Sequence, residues 1–215
     1  GRIAVVCRDI GKYRAAVRYE FRMAGIPLYC DEPTTPEFSA PATAVRALLA
    51  LARGADLTEN LTTLAKTGLC ALTEEEVCAL ENYAYTWSPN AAAWRAAFRN
   101  DPKGFGDREL TEEDARNLSD AEKARALLVN AADALRGKVR NANAEAISRA
   151  LYFCLRELGA EEQQAAQVEA IRAARGIPAA EEAAREWNVV MELRAEMAAR
   201  TASAYAARGG ISCHV

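Results

Sequence analysis

The residues best suited to chemistry form a short triplet, Lys66-Thr67-Gly68, at a break between two helical patterns. A lysine, a hydroxyl and a glycine at such a break offer a charge, a polar side chain and free backbone N–H groups. That is the chemistry of a phosphate contact. The same residues equally suit a helix C-cap with a solvated lysine. The triplet also matches the K-T-G of penicillin-recognising enzymes, but their S-x-x-K and S-D-N partners are missing, and Ser119 meets a lysine only at Lys123. The most basic stretch carries Lys12, Arg14, Arg18 and Arg22 with Arg8 just ahead of it, against Asp9 and Glu20. It could face a phosphate backbone, meet an absent part of a parent protein, or be a solvated face. Acidic runs at Glu74-Glu75-Glu76, Glu112-Glu113-Asp114, Glu161-Glu162 and Glu181-Glu182 open helical patterns, where carboxylates complement the helix dipole.

Several chemistries find no residues. The six cysteines, Cys7, Cys30, Cys70, Cys78, Cys154 and Cys213, contain no C-x-x-C and mostly sit among apolar neighbours, which suits free thiols in a reducing compartment. The single histidine, His214, cannot by itself build a zinc site, a Ser-His-Asp triad or a Cys-His pair. No G-x-x-x-x-G-K-[ST] occurs, so no P-loop is present to cradle a nucleotide. We assign no catalytic residue and no metal ligand. The formal net charge of -3 supplies no global field for nucleic acid, so any DNA contact must be local. Trp87, Trp94 and Trp187 lie at helical spacings and are expected in the core rather than stacked on bases. Residues 2–7 are too short for a signal-peptide core, and no apolar run reaches membrane-span length. A cytoplasmic protein without membrane contact is expected.

The elements that must position these residues begin with Ile3-Ala-Val-Val-Cys7, a short apolar run that fits a buried strand. Asp9 can cap a helix through Tyr13, Val17, Phe21 and Ala24, ended by Gly25. Residues 26–30 resume as a strand, which completes a β-α-β unit with the size of a crossover. Two parallel strands make a poor sheet, so the rest of it must be missing or come from another molecule. Asp31 to Pro41 reads as a linker. Beyond it the pattern is helical: one helix to Gly54, one from Asp56 or Thr58 to the Lys66 triplet, and one opened by a capping box at Thr73–Glu76. Residues 100–107 form a loop, and Thr111 with Asp114 suggests another cap. Helices follow over 120–140, 143–158, 161–175 and about 179–207. No 34- or 40-residue repeat suggests a solenoid. The fold expected is mainly α: a truncated α/β unit at 1–33 and a helical bundle at 34–215. The leading Gly1-Arg2 and the closing Gly209-Gly210 stretch both read as cut points within a longer protein.

Ile3-Ala-Val-Val-Cys-Arg-Asp9, Tyr13, Phe21 and Ala24-Gly-Ile-Pro-Leu-Tyr-Cys-Asp31 together resemble the second motor domain of superfamily-one helicases of the UvrD/PcrA type. In those helicases a helical accessory (2B) subdomain follows directly. Leu64-Ala-Lys-Thr-Gly-Leu69, Leu80-Glu-Asn-Tyr83, Trp87, Trp94 and Trp187-Asn-Val-Val-Met-Glu-Leu193 are more specifically similar to the AddB-like subunits of bacterial AddAB recombination complexes. The resemblance covers most of the chain, with residues 100–145 poorly matched. It implies a non-catalytic piece of an ATP-dependent helicase and nuclease subunit, serving double-strand break processing and recombinational repair. ATP, magnesium and an iron–sulfur cluster would belong to the parent, outside this chain. The implied partners are duplex or junction DNA and the companion helicase–nuclease subunit. The implied DNA-phosphate contacts are Lys66, Thr67 and Gly68, joined by Arg8, Arg14 and Arg18 of the basic stretch. A second class of function stays open: a helical protein–protein interaction module with no DNA contact of its own.

Overall fold

The structure, a computed structural model, describes residues 4–28, 39–106 and 109–209; the side chains of 193–195 and 197–209 lie outside that description. By backbone proximity the chain divides into two compact units, Gly1–Thr35 and Pro36–Val215.

Among its described residues the first unit holds one helix, α1, Ile10–Met23. Asp9 caps it by accepting from the Gly11 N–H at 3.1 Å. Its end is tied by the Ile26 N–H donating to the Phe21 carbonyl at 2.9 Å, with Gly25 at φ +66 between them. The expected β-α-β unit is corrected here. Among the described residues no strand is present, and both 4–7 and 26–28 are irregular; Ile3, Tyr29 and Cys30 lie outside those residues. The physical reason is visible in exposure. Val5 and Val6 remain 74% and 93% accessible, and α1 buries no residue. Without a neighbouring strand to complete the ladder and a layer to cover it, a β-branched run has nothing to pair with.

Every regular element among the second unit's described residues is a helix: α2 Ala40–Arg53, α3 Leu57–Lys66, α4 Glu74–Trp87, α5 Ala91–Arg95, α6 Glu112–Val139, α7 Ala144–Glu157, α8 Ala160–Arg175 and α9 Ile177–Gly209. The boundaries follow local chemistry. Ser39, Asp56, Asn90 and Asn143 each cap a helix with a side-chain oxygen. Thr73–Glu76 and Thr111–Asp114 are full capping boxes. Pro41, expected in the linker, instead sits in the first turn of α2, where its missing N–H costs nothing. The Thr111 cap opens one continuous 28-residue helix, longer than the 120–140 segment expected.

That helix is the spine of the bundle, with α2, α4 and α7 packed along it and α8 and α9 packed beyond α7. Its core includes Leu48, Leu61, Leu64, Leu80, Trp94, Leu128 and Leu135, all essentially inaccessible. Trp94 is buried as expected, while Trp87 and Trp187 pack partly buried against the same core. Polar clamps fix the surrounding loops. Lys103 pairs with the fully buried Asp114 at 3.0 Å, which ties the 100–106 loop to the start of α6. Glu76 in the first turn of α4 pairs with Lys123 of α6. Arg95 of α5 holds Asp133 of α6 through two bonds of 2.8 and 2.9 Å.

Glu122 of α6 accepts from Arg125 and from the Phe98 N–H at 2.8 Å. Burial opposes its ionisation, but the bonds from Arg125 and Phe98 outweigh burial and hold the carboxyl below its ordinary range. The unfolded chain therefore takes up this proton at higher pH than the folded one. The resulting stabilisation is complete above the unfolded value, about 4.3, and is lost as pH falls through the folded value. We expect the melting-temperature gap between the parent chain and Glu122→Gln to narrow as pH falls below about 4. A gap that stays constant across that acid range would refute this role for Glu122.

Candidate functional site

The phosphate-contact residues expected from sequence fall in separate units. Lys66, Thr67 and Gly68 close α3. Thr67 donates its hydroxyl to the Leu64 carbonyl at 2.7 Å and accepts from the Leu69 N–H at 3.3 Å. The Thr67 and Gly68 N–H groups bond the Leu64 and Ala65 carbonyls. The Lys66 ammonium pairs with Glu81 of α4. Gly68 has φ +68, and its carbonyl accepts from Gln167 of α8 at 2.7 Å. A Cβ there would lie 2.5 Å from the Gln167 Nε2 and displace that amide, while the positive φ itself favours glycine. The donors that would hold a phosphate are thus engaged within the chain, in a C-cap arrangement.

Arg8, Arg14 and Arg18 lie in the first unit, all exposed, with Arg14 and Arg18 one turn apart on α1. Lys12 on the same helix pairs with Asp9 at 3.5 Å. Arg22 lies 6.0 Å from the Tyr19 ring centroid.

Among the described cysteines, Cys70 and Cys154 are buried and Cys7 and Cys78 exposed. Burial, with a smaller contribution from Cys154, pushes the Cys70 thiol up to about 12. Burial, then Glu157, does the same to Cys154, also to about 12. Neither is a ready nucleophile or metal ligand, since both roles need the thiolate. Among the described residues no group of three or more His, Cys, Asp or Glu side chains comes together.

A different site emerges from the packing. A groove of about 900 Å³ opens between α2, the end of α6, α7 and α9. Its floor is aliphatic: Val45 and Leu49 of α2, Val139 of α6, Ile147 and Leu151 of α7, and Val190 of α9. Its rim carries Arg46 and Arg53 of α2 and Arg136 and Arg140 from the end of α6, all exposed. Among the described residues no carboxylate lines it. Arg46 donates to the Thr43 hydroxyl at 3.2 Å. Arg136 lies across the end of α2, 3.4 Å from where a Cβ of Gly54 would be. None of the four makes an ion pair among the described residues. In a chain of net charge -3 this is a concentrated patch of positive charge over an apolar floor.

No protein-family model matches this chain, and no curated protein does. The groove residues were not singled out from sequence, yet α2 carried a signal. Its buried face uses Ala44, Ala47, Leu48 and Leu51, while Val45, Leu49 and Ala52 form a second, half-buried stripe. An apolar arc wider than one core contact needs marks a helix with a further face to cover.

Proposed function

We propose that this chain is a non-catalytic helical interaction module that holds a protein partner within a larger assembly. The arginine-rimmed apolar groove carries the reading, because it joins a desolvatable floor to charges that make no ion pair among the described residues. The resemblance to AddB-like subunits supports a DNA break-processing complex as the setting, with ATP hydrolysis, nuclease chemistry and the iron–sulfur cluster located elsewhere in it. A membrane-spanning role finds no support, since no helix among the described residues is long and apolar enough to cross a bilayer.

DNA positioning is the second reading, favoured by the exposed basic helix α1. The two readings separate by fluorescence anisotropy of a labelled duplex with a single-stranded tail, titrated with the chain at about 50 and 200 mM salt. We expect weak binding and a salt slope unchanged by Lys66→Ala, because Lys66 is paired with Glu81. Affinity that falls steeply with salt, with a slope reduced by about one in Lys66→Ala, would establish the DNA reading instead.

A further inference from the structure

The geometry points to a specific occupant: we infer that the groove receives an acidic amphipathic helix of a partner protein. This rests on the interaction-module reading and names the chemistry of the partner.

Length is the first consideration. Ala42, Val45, Arg46, Leu49, Ala52 and Arg53 form one face of α2 along the groove. At about 1.5 Å per residue this wall is roughly 16 Å long, or three helical turns. Ala144, Ile147 and Leu151 of α7 add a second wall with the same helical spacing. A trough of this length accepts a helix that inserts apolar residues at i, i+3 or i+4, and i+7.

Charge is the second consideration, and it selects among occupants. Arg46 and Arg53 stand two turns apart on α2; Arg136 lies in the last turn of α6, and Arg140 follows directly as its extended C-cap residue. Carboxylates repeating every one or two turns beside an apolar stripe can meet such a row. A fatty anion carries one charge at one end and would leave most of the arginines unused. Duplex DNA would set phosphates over a floor that is aliphatic apart from Ser148, and would leave that apolar surface without an apolar partner. Among the described residues no carboxylate lines the groove to compete for the arginines.

The test is fluorescence anisotropy of the full chain with three labelled peptides of about 14 residues, a length of about four turns. One places leucines at i, i+3 and i+7 with flanking glutamates. The second replaces the glutamates by lysines. The third keeps the acidic composition and scrambles the leucine order. We expect the first to bind, the second not to bind, and the third to bind about tenfold more weakly or worse, since both stripe and charge are read. Arg46→Glu/Arg53→Glu, at exposed positions that leave the core intact, should weaken the first peptide by about tenfold or more. Equal affinity for the acidic and scrambled peptides, or binding indifferent to the double charge reversal, overturns the proposal. A competition arm uses dodecanoate. If dodecanoate binds in an Arg53-dependent way while the acidic peptide does not, the helix assignment fails and the binding groove stands. If neither binds, the interaction-module reading fails with it.

Discussion

Replacing Trp94 with alanine is expected to lower the unfolding free energy of the helical unit by about 4 kcal/mol, in the range for emptying an aromatic site in a packed core. Trp94 is fully inaccessible. Its helix, α5, has only five residues, too few to persist without tertiary support. The indole supplies that support. Its N–H donates to the Thr58 hydroxyl of α3 at 2.8 Å, and its ring meets Phe98 with centroids 5.4 Å apart. Phe98 in turn stacks on Tyr83 of α4 at 3.9 Å. Removing the indole therefore loosens the joint between α3, α4 and α6. Trp94→Phe keeps most of the ring and loses the N–H bond, so it should cost about 1–2 kcal/mol. Urea denaturation of both variants checks this. Equal costs for the two would show that ring volume contributes little beside the hydrogen bond.

What the sequence disclosed about this fold was local. The caps at Asp9, Asp56, Thr73 and Thr111 were legible because a cap is a contact across two or three residues. Gly54, Gly68 and Gly159 were legible as breaks because all three take positive φ. The strands expected at 3–7 and 26–30 failed for the opposite reason. An apolar β-branched run becomes a strand only when another strand pairs with it, and Val5 and Val6 stay exposed. The Lys66 triplet shows the same divide. Its break in the helix was local and visible, but Glu81 on α4 and Gln167 on α8 reach it only in the folded chain. The groove was hidden more deeply. Arg46 and Arg136 are 90 positions apart, and only the packing of α2 along α6 makes them neighbours on one rim.

Arg125→Ala should be nearly as damaging as Trp94→Ala, at about 3 kcal/mol, even though it removes a charged side chain. Arg125 is 8% exposed, and each of its three guanidinium nitrogens donates a hydrogen bond. It makes two bonds to Glu122, of 2.6 and 2.5 Å, and one to the Trp94 carbonyl at 3.0 Å. Its guanidinium carbon lies 5.7 Å from the Phe98 ring centroid. Truncation leaves the Trp94 carbonyl without this donor and Glu122 with only the Phe98 N–H. Those orphaned groups, more than any intrinsic strength of the ion pair, set the cost. Lysine at 125 keeps the charge but loses the planar fork, so Arg125→Lys should recover less than half of the loss. Arg125→Met/Glu122→Leu discriminates further, because it removes both ionic partners and restores apolar volume. If desolvated orphans dominate, this double variant should be more stable than Arg125→Ala alone, despite carrying two changes. If it is less stable, the pair contributes directly and the clamp between α5 and α6 is electrostatic at root.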